Sequence, residues 1–179
     1  EGSGSWVKDV GGEEYLDLFA GILTTSLGHC HPDVVSAVQN QVSRLGHVST
    51  LYVTEKQIDA AQRLAAIAPG NLNRTFFTNS GTEAIETALM AARVHTGRTE
   101  IVALRHAYHG RTPTALTAQA PWRPLPSNVA GVSHALSPYP YRAAFGTRSD
   151  QELVEIYAND LIEVIETTTN GKPAAFIAE

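Results

Sequence analysis

Apolar residues recur at intervals of three and four in four segments of this chain, which is the spacing of amphipathic helices. The first predicted helix begins at Pro32, and the others cover residues 54–68, 80–95 and 149–170. Proline is favoured at the first helical position, and capping-box spacings open the other three. We expect the first two helices to turn one apolar face inward. These positions are Val34, Val35, Val38, Val42 and Leu45, then Ile58, Ala61, Leu64, Ala65 and Ala68.

Short runs of β-branched and aromatic residues predict strands between these helices. Residues 6–10 and 15–19 flank a Gly-Gly turn and predict a hairpin. Residues 74–78 and 100–105 lie on either side of the third helix, and residues 172–179 form an apolar segment after the fourth. A strand, a helix and a second strand make a βαβ unit with parallel strands and a right-handed crossover. The pattern therefore predicts an α/β fold.

One long segment is interrupted by proline. Residues 121–140 contain five of the nine prolines, so we predict neither a helix nor a central strand there. Two interpretations stay open, an ordered excursion over an active-site face and a plain surface loop.

Composition excludes several classes of protein. The 179 residues carry a net charge of −5, and the 13 lysines and arginines are scattered, so no basic stripe for nucleic acid is present. No apolar run has the length of a membrane span, and the start is not a signal peptide. The single cysteine, Cys30, forms no internal disulfide and fits a reducing compartment. We expect a cytoplasmic protein, with a mitochondrial location left open because no initiating methionine is present.

The start of the third helix is the first candidate for chemistry. Ser80-Gly81-Thr82-Glu83 has the capping-box spacing, and Gly81 lets a ligand approach the backbone closely. Unpaired N–H groups and the positive end of the helix dipole favour an anion, and phosphate in particular. An ordinary capped helix that binds nothing explains the same residues.

Three ordered motifs extend this interpretation. Gly28-His29-Cys30-His31-Pro32 precedes Asn79-Ser80-Gly81-Thr82-Glu83-Ala84, and Tyr108-His109-Gly110-Arg111-Thr112 comes after both. Together they resemble the class III aminotransferases of the 4-aminobutyrate, ornithine and alanine–glyoxylate type. The resemblance covers nearly the whole chain and implies fold type I, a mostly parallel sheet flanked by helices. It also implies pyridoxal 5'-phosphate as cofactor and a homodimer. It divides the chain into an N-terminal segment, 1–53, and an incomplete large cofactor-binding domain, 54–179.

The resemblance also implies roles for individual residues around the cofactor. Ser80, Gly81 and Thr82 match the residues that hold the cofactor phosphate, and Tyr108 matches an aromatic residue that stacks on the pyridine ring. Core packing is the alternative for Tyr108. His109 follows Tyr108 in the sequence, and we expect it to support the cofactor site. It either forms a hydrogen bond there or is simply buried.

Three further positions concern the ring and the substrate. Glu179 matches a glutamate beside the cofactor ring, although a solvated strand end explains it as well. Arg111 matches an arginine that holds the substrate carboxylate in the ornithine and 4-aminobutyrate types. Ile22 stands where the ornithine type has a tyrosine and the 4-aminobutyrate type an isoleucine, so it argues against ornithine.

No catalytic residue is expected within the chain itself. Its lysines are Lys8, Lys56 and Lys172, and none matches the Schiff-base lysine of the family. The resemblance places that lysine beyond residue 179, so we expect a piece of a longer enzyme that is inactive in isolation.

The leading interpretation is an aminotransferase that moves an amino group from an amino acid to a 2-oxo acid. The donors include omega-amino acids such as 4-aminobutyrate. Alternatives are another class III chemistry (decarboxylase, aminomutase, racemase or phospho-lyase) and a non-catalytic phosphate-binding module. We expect no metal site, because His29-Cys30-His31 lacks the further ligands of a zinc site.

Overall fold

The computed structural model describes residues 1–118, 129–142, 145–146 and 148–179. These residues divide into two compact units, Glu1–Arg74 and Thr75–Glu179. The predicted division after residue 53 stays a prediction, because a compact unit of one chain is not the same as a domain of a whole enzyme. No helix in the described ranges has the length and apolar character needed to cross a membrane.

The first unit begins with a small antiparallel sheet. Its strands are β1 (Gly2–Ser3), β2 (Trp6–Lys8) and β3 (Glu14–Leu16), in the order β1-β2-β3. The predicted hairpin is confirmed, with shorter strands than expected. Strand β2 ends at Lys8, and in the turn that follows the Asp9 carboxylate accepts two loop N–H groups, that of Gly11 at 2.8 Å and that of Glu13 at 3.0 Å.

Two predicted helices of the first unit are confirmed. A short turn, α1 (Ala20–Leu23), precedes α2 (Pro32–Val42) and α3 (Glu55–Ile67). No residue of α2 or α3 is buried, and Val38 on the predicted inward face of α2 is 56% exposed. The larger apolar side chains of both faces are thus exposed within the described unit, and only Ala61, Ala65 and Ala68 of the predicted positions are partly buried.

The second unit carries the α/β core. Its helices are α4 (Gly81–Thr96), α5 (Pro113–Ala118) and α6 (Asp150–Thr168), with a 3-10 turn at Pro140–Arg142. Its strands are β4 (Ile101–Leu104), β5 (Val132–Ala135) and β6 (Ala175–Ile177). The strands are parallel in the order β5-β4-β6, and every residue of β4 is buried.

The apolar face predicted for the last helix packs against this sheet. Its residues Leu161, Val164 and Ile165 contact a cluster in the two strands β4 and β5, formed by Val102, Leu104 and Ala135. The predicted α/β class is thus confirmed, with parallel strands covered by helices.

The predicted strand at residues 74–78 is wrong. This segment has no strand pairing in the structure, and Phe76 is 79% exposed. A strand exists only where its N–H and C=O groups pair with a neighbour. Strand β4 pairs with β5 on one side and with β6 on the other, and residues 74–78 pair with none of these strands. The βαβ unit predicted around α4 is therefore absent.

The proline-rich segment contains an edge strand. Strand β5 lies inside residues 121–140, at the end of the order β5-β4-β6, so it does not contradict the prediction that no central strand forms there. It falls between the prolines at positions 126 and 138, so its own N–H groups are free to pair with β4. Positions 119–128, on which part of the excursion interpretation rests, lie outside the described residues.

Candidate functional site

The start of α4 is capped by its own side chains. Ser80 is the N-cap, and its hydroxyl oxygen accepts the N–H of Glu83 at 3.2 Å. The carboxylate of Glu83 accepts the backbone N–H of Asn79 at 2.7 Å and its side-chain amide at 3.0 Å. The predicted capping box is therefore half confirmed, because the return bond reaches Asn79 and not Ser80. The two bonds from Asn79 to Glu83 also hold the residue that comes just before the N-cap.

The first turn of α4 remains open to a ligand. The N–H groups of Gly81 and Thr82 have no carbonyl group four residues earlier within the helix, so they point out of the helix end. Apart from its chain neighbours and the nearby backbone of its own helix, no described atom lies within 4 Å of the place where a Cβ on Gly81 would sit. The helix dipole makes this opening favourable for a negative charge. The donor set and the free space fit a phosphate group.

Tyr108 and Glu179 meet at the carboxyl edge of the sheet. They are 71 positions apart, but they come after the adjacent parallel strands β4 and β6. The backbone N–H of Tyr108 donates to the Glu179 carboxylate. Tyr108 is 47% exposed in the described chain, and its stacking role stays a prediction. Its open face is available to a planar ligand.

His109 is the buried polar residue of this edge. It is 4% exposed, and its Nε2 atom has no hydrogen-bond partner among the described residues. Burial lowers the pKa of His109, and the nearby Glu179 carboxylate partly opposes that shift. A buried ring nitrogen without a partner is costly unless another group satisfies it. A bound cofactor with polar ring substituents is such a group.

Gly110 brings the loop after β4 against the start of α4. Its φ is +120°, and a Cβ built on it would lie 2.9 Å from the Thr82 Cα atom. Only glycine fits this conformation and this approach. Two residues later, the hydroxyl of Thr112 donates to the carboxylate of Glu86 on the same helix. The structure thereby joins the predicted phosphate site and the predicted aromatic residue in one place.

Sequence reasoning missed the two contacts made by Gly110 and by Thr112. The glycine within the motif Tyr-His-Gly-Arg-Thr was a signal for the first, since glycine often marks a close backbone approach. The second had no signal, because Glu86 occupies an ordinary helical position.

The two predicted substrate residues have different surroundings. Arg111 is exposed and lies between the contacts of Gly110 and Thr112. Ile22 belongs to the first unit, in α1, where Ala20, Ile22 and Leu23 all have positive φ values of 49–62°. Such left-handed conformations are strained for residues with a side chain and are enriched at functional sites.

A carboxylate holds the strained turn at its start. The Oδ1 atom of Asp17 accepts the N–H groups of Phe19 at 3.0 Å and Ala20 at 2.9 Å. Its Oδ2 atom lies 2.6 Å from Nε2 of His29. This contact with His29 is the main reason why the pKa of Asp17 is lowered. No local pattern in the sequence indicated the pairing.

The histidines of the His29-Cys30-His31 segment serve the fold. His29 contacts Asp17, and Nδ1 of His31 accepts the N–H of Asp33 at 3.3 Å at the start of α2. Across the described ranges, no three His, Cys, Asp or Glu side chains are grouped as metal ligands.

A cavity of about 610 Å³ opens at the same sheet edge. Arg105, Ala107, Tyr139 and Glu179 are among its lining residues, whereas Tyr108 and the start of α4 are not. It is therefore a neighbouring space that shares Glu179 with the predicted cofactor site.

Comparison with known proteins agrees with this arrangement. The family model described as "Aminotransferase class-III" matches residues 1–179. The chain is 44% identical over 183 residues to alanine–glyoxylate aminotransferase 2 homolog 2, mitochondrial, of Arabidopsis thaliana, covering 100% of this chain and 37% of that one. It is 52% identical over 123 residues to an acetylornithine aminotransferase of Methanopyrus kandleri, covering 69% of this chain and 31% of the other.

Solved structures give the same result. An (S)-enantioselective omega-transaminase from Thermomicrobium roseum superposes with a TM-score of 0.89 at 34% identity, covering 98% of this chain and 42% of that one. The taurine:2-oxoglutarate aminotransferase of Bifidobacterium kashiwanohense, in complex with pyridoxal phosphate and glutamate, gives 0.91 at 29% identity, covering 100% and 42%. The chain thus spans less than half the length of these relatives. By its sequence and by its fold, it belongs to the class-III aminotransferase family.

Proposed function

We propose that the whole protein is a pyridoxal-phosphate-dependent aminotransferase. It moves an amino group from an amino acid, including an omega-amino acid such as 4-aminobutyrate, to a 2-oxo acid. The observation that carries this proposal is the approach of Gly110 to Thr82, which joins an open helix start to Tyr108 and His109 within one family member. The chain spans 37% of its plant relative, so the proposal concerns the longer protein.

The cofactor phosphate would bind at the start of α4. The N–H groups of Gly81 and Thr82 would donate to it, and the hydroxyls of Ser80 and Thr82 would add further hydrogen bonds. Ser80 can donate its proton while its oxygen still accepts the N–H of Glu83. When bound, pyridoxal phosphate supplies an electron sink for the bonds of the substrate carbon.

Three residues of the sheet edge would orient the cofactor ring. Tyr108 would stack on its face, since this residue is about half exposed at the sheet edge. Nε2 of His109 would find the polar partner that the described chain does not give it. Glu179 would keep the loop of Tyr108 at the edge through the bond to its backbone N–H.

Substrate selection would rest on Arg111 and Ile22. An exposed guanidinium next to the cofactor residues can bind a substrate carboxylate through two parallel hydrogen bonds. The strained backbone at Ile22 supports a functional role for that turn, where an aliphatic side chain would form an apolar wall.

The remaining parts of the proposal come from the family resemblance. We propose a homodimer and a Schiff-base lysine outside these 179 residues. A cytoplasmic location stays a prediction, and the plant relative carries the word mitochondrial in its name.

The direct test of this function is the transfer of labelled nitrogen by the full-length protein. Purified protein with pyridoxal phosphate is incubated with a ¹⁵N-labelled amino acid and pyruvate, glyoxylate or 2-oxoglutarate. We expect the label to appear in the amino acid formed from the oxo acid, for 4-aminobutyrate and not for ornithine. Release of CO₂, racemisation or phosphate release without any acceptor would instead indicate another chemistry on the same cofactor.

A further inference from the structure

The loop that carries Arg111 is attached to α4 at two points. Gly110 lies against Thr82, and the Thr112 hydroxyl donates to the Glu86 carboxylate. Thr82 and Glu86 are four positions apart, so they lie on the same face of the helix, one turn from each other. The loop therefore runs along one helical face from its first turn to its second.

Thr112 also contacts the helix after the loop. Its hydroxyl oxygen accepts the N–H of Ala115 at 3.4 Å, within α5. One hydroxyl thus donates to α4 and accepts from α5. Glu86 and Thr112 are both only partly exposed, so solvent competes less for this bond than at an open surface.

Arg111 is the residue held between these two contacts. An arginine has many rotamers, so the position of its guanidinium depends on how firmly its backbone is placed. The residue before Arg111 is Gly110, which lies against Thr82, and the residue after it is Thr112, which is hydrogen-bonded to Glu86. Both anchors use the helix whose first turn forms the predicted phosphate site.

We propose that Glu86 and Thr112 are positioning residues that set the distance between the carboxylate-binding Arg111 and the phosphate-binding start of α4. The hydrogen bond between them fixes the position of the Arg111 loop along α4. It thereby sets the distance between the groups that bind the two ends of the ligand. This inference rests on the proposed function, since it takes Arg111 as the group that binds the substrate carboxylate. Neither Glu86 nor Thr112 needs to touch the ligand.

The test is a mutant cycle in the full-length protein. Thr112→Val removes the hydroxyl at nearly constant shape, and Glu86→Leu removes the acceptor. We expect each substitution to raise KM for the amino-acid donor by about tenfold with little change in kcat, as for one lost hydrogen bond to a charged group. The double variant should be no worse than either single variant. Thr112→Ser keeps the donor and should retain the wild-type KM. Glu86→Gln keeps a neutral acceptor and should raise KM less than Glu86→Leu does.

Hydrogen exchange gives a readout that does not depend on turnover. In the cofactor-free protein, Thr112→Val should speed the exchange of the amides at residues 110–112, whereas Thr112→Ser should not. Unchanged exchange would overturn the proposal whether or not the wild type transfers nitrogen. Additive effects in the cycle, or a fall in kcat without a change in KM, would also overturn it. Failure of the wild type to transfer nitrogen overturns the proposed function alone, because the exchange experiment still decides whether the two residues hold the loop.

Discussion

Tyr108 shows how a single residue links the fold to the proposed chemistry. Its N–H group donates to the Glu179 carboxylate, while the residue stays 47% exposed at the edge of the sheet. The backbone is thus fixed and the aromatic face is free. A ring held in this way can stack on a planar ligand without losing much further entropy.

The first prediction concerns that ring. In the full-length protein, Tyr108→Ala should weaken the binding of pyridoxal phosphate by about 1–1.5 kcal/mol, the scale of an aromatic contact. Tyr108→Phe keeps the ring and should bind the cofactor nearly as well as the wild type. The dissociation constant is measured from the visible absorption of the bound cofactor. Equal cofactor affinity in all three proteins would show that Tyr108 is not part of the cofactor site.

A second prediction concerns Arg111. Arg111→Lys replaces a planar fork by a point charge, so kcat/KM for amino-acid donors should fall by about 1.5–3 kcal/mol. A simple alkylamine has no carboxylate, and its kcat/KM should change little. The two donors are compared in the same enzyme preparation. Equal losses for both would mean that Arg111 supports the fold or the cofactor.

His109 predicts a dependence of stability on pH. Burial lowers its pKa in the folded protein below the ordinary value of 6.5. The unfolded chain therefore binds the proton more readily, and stability is lost as the pH falls below about 6.5 towards the folded pKa. Between pH 7.5 and 5.5, the midpoint of thermal unfolding of the cofactor-free protein should fall more for the wild type than for His109→Gln. Parallel falls would contradict the assignment.

At the scale of elements, the cap of α6 makes a testable contribution. The Ser149 hydroxyl accepts the N–H of Glu152 at 3.3 Å, and the Glu152 carboxylate accepts the N–H of Ser149 at 2.8 Å. The helix packs on strands β4 and β5, so a loosened start weakens the core. Ser149→Ala should cost about 1 kcal/mol, and Ser149→Asp should restore most of it.

The measurement for this cap is the midpoint of thermal unfolding. A loss of that size lowers the midpoint by about 2–4 °C in a protein of 150–250 residues, and by less in a longer one. Nitrogen transfer at 25 °C should be unchanged, since Ser149 is not part of the proposed site. A loss of activity without a change in the midpoint would contradict a purely structural role.

Helices could be predicted better than strands, because the two kinds of element depend on different signals. Helices α2, α3, α4 and α6 begin where the sequence places them, because caps and apolar spacing are local signals. Strands depend on distant partners. Residues 74–78 have the composition of a strand but no neighbour in the described chain, and β5 forms among prolines because β4 lies beside it.

The candidate site was predictable to a similar extent. Motifs point to Ser80 and Tyr108 as candidates, since their residue types suit the proposed chemistry, and both stay predictions. For the contact of Gly110 with Thr82 the glycine itself was a signal, whereas the bond from Thr112 to Glu86 had none. Which residues of α4 the two contacts reach depends on how the loop after β4 folds back on the helix.

At the scale of the whole molecule, the relatives are longer than this chain. The chain covers 37% of the plant aminotransferase and 42% of the Thermomicrobium roseum transaminase. Within it, the residues proposed for cofactor binding all lie in Thr75–Glu179, and Ile22 lies in the other unit. The proposed homodimer and the Schiff-base lysine belong to the proposal for the complete protein.

The most direct measurement is a crystal structure of the full-length protein with pyridoxal phosphate. We predict the phosphate within hydrogen-bond distance of the N–H groups of Gly81 and Thr82, and the Tyr108 ring stacked on the pyridine. His109 should lie in the same pocket, with its Nε2 atom bonded to the cofactor or to a water that bridges them. A phosphate bound elsewhere, with the start of α4 open to solvent, would contradict the proposed cofactor site.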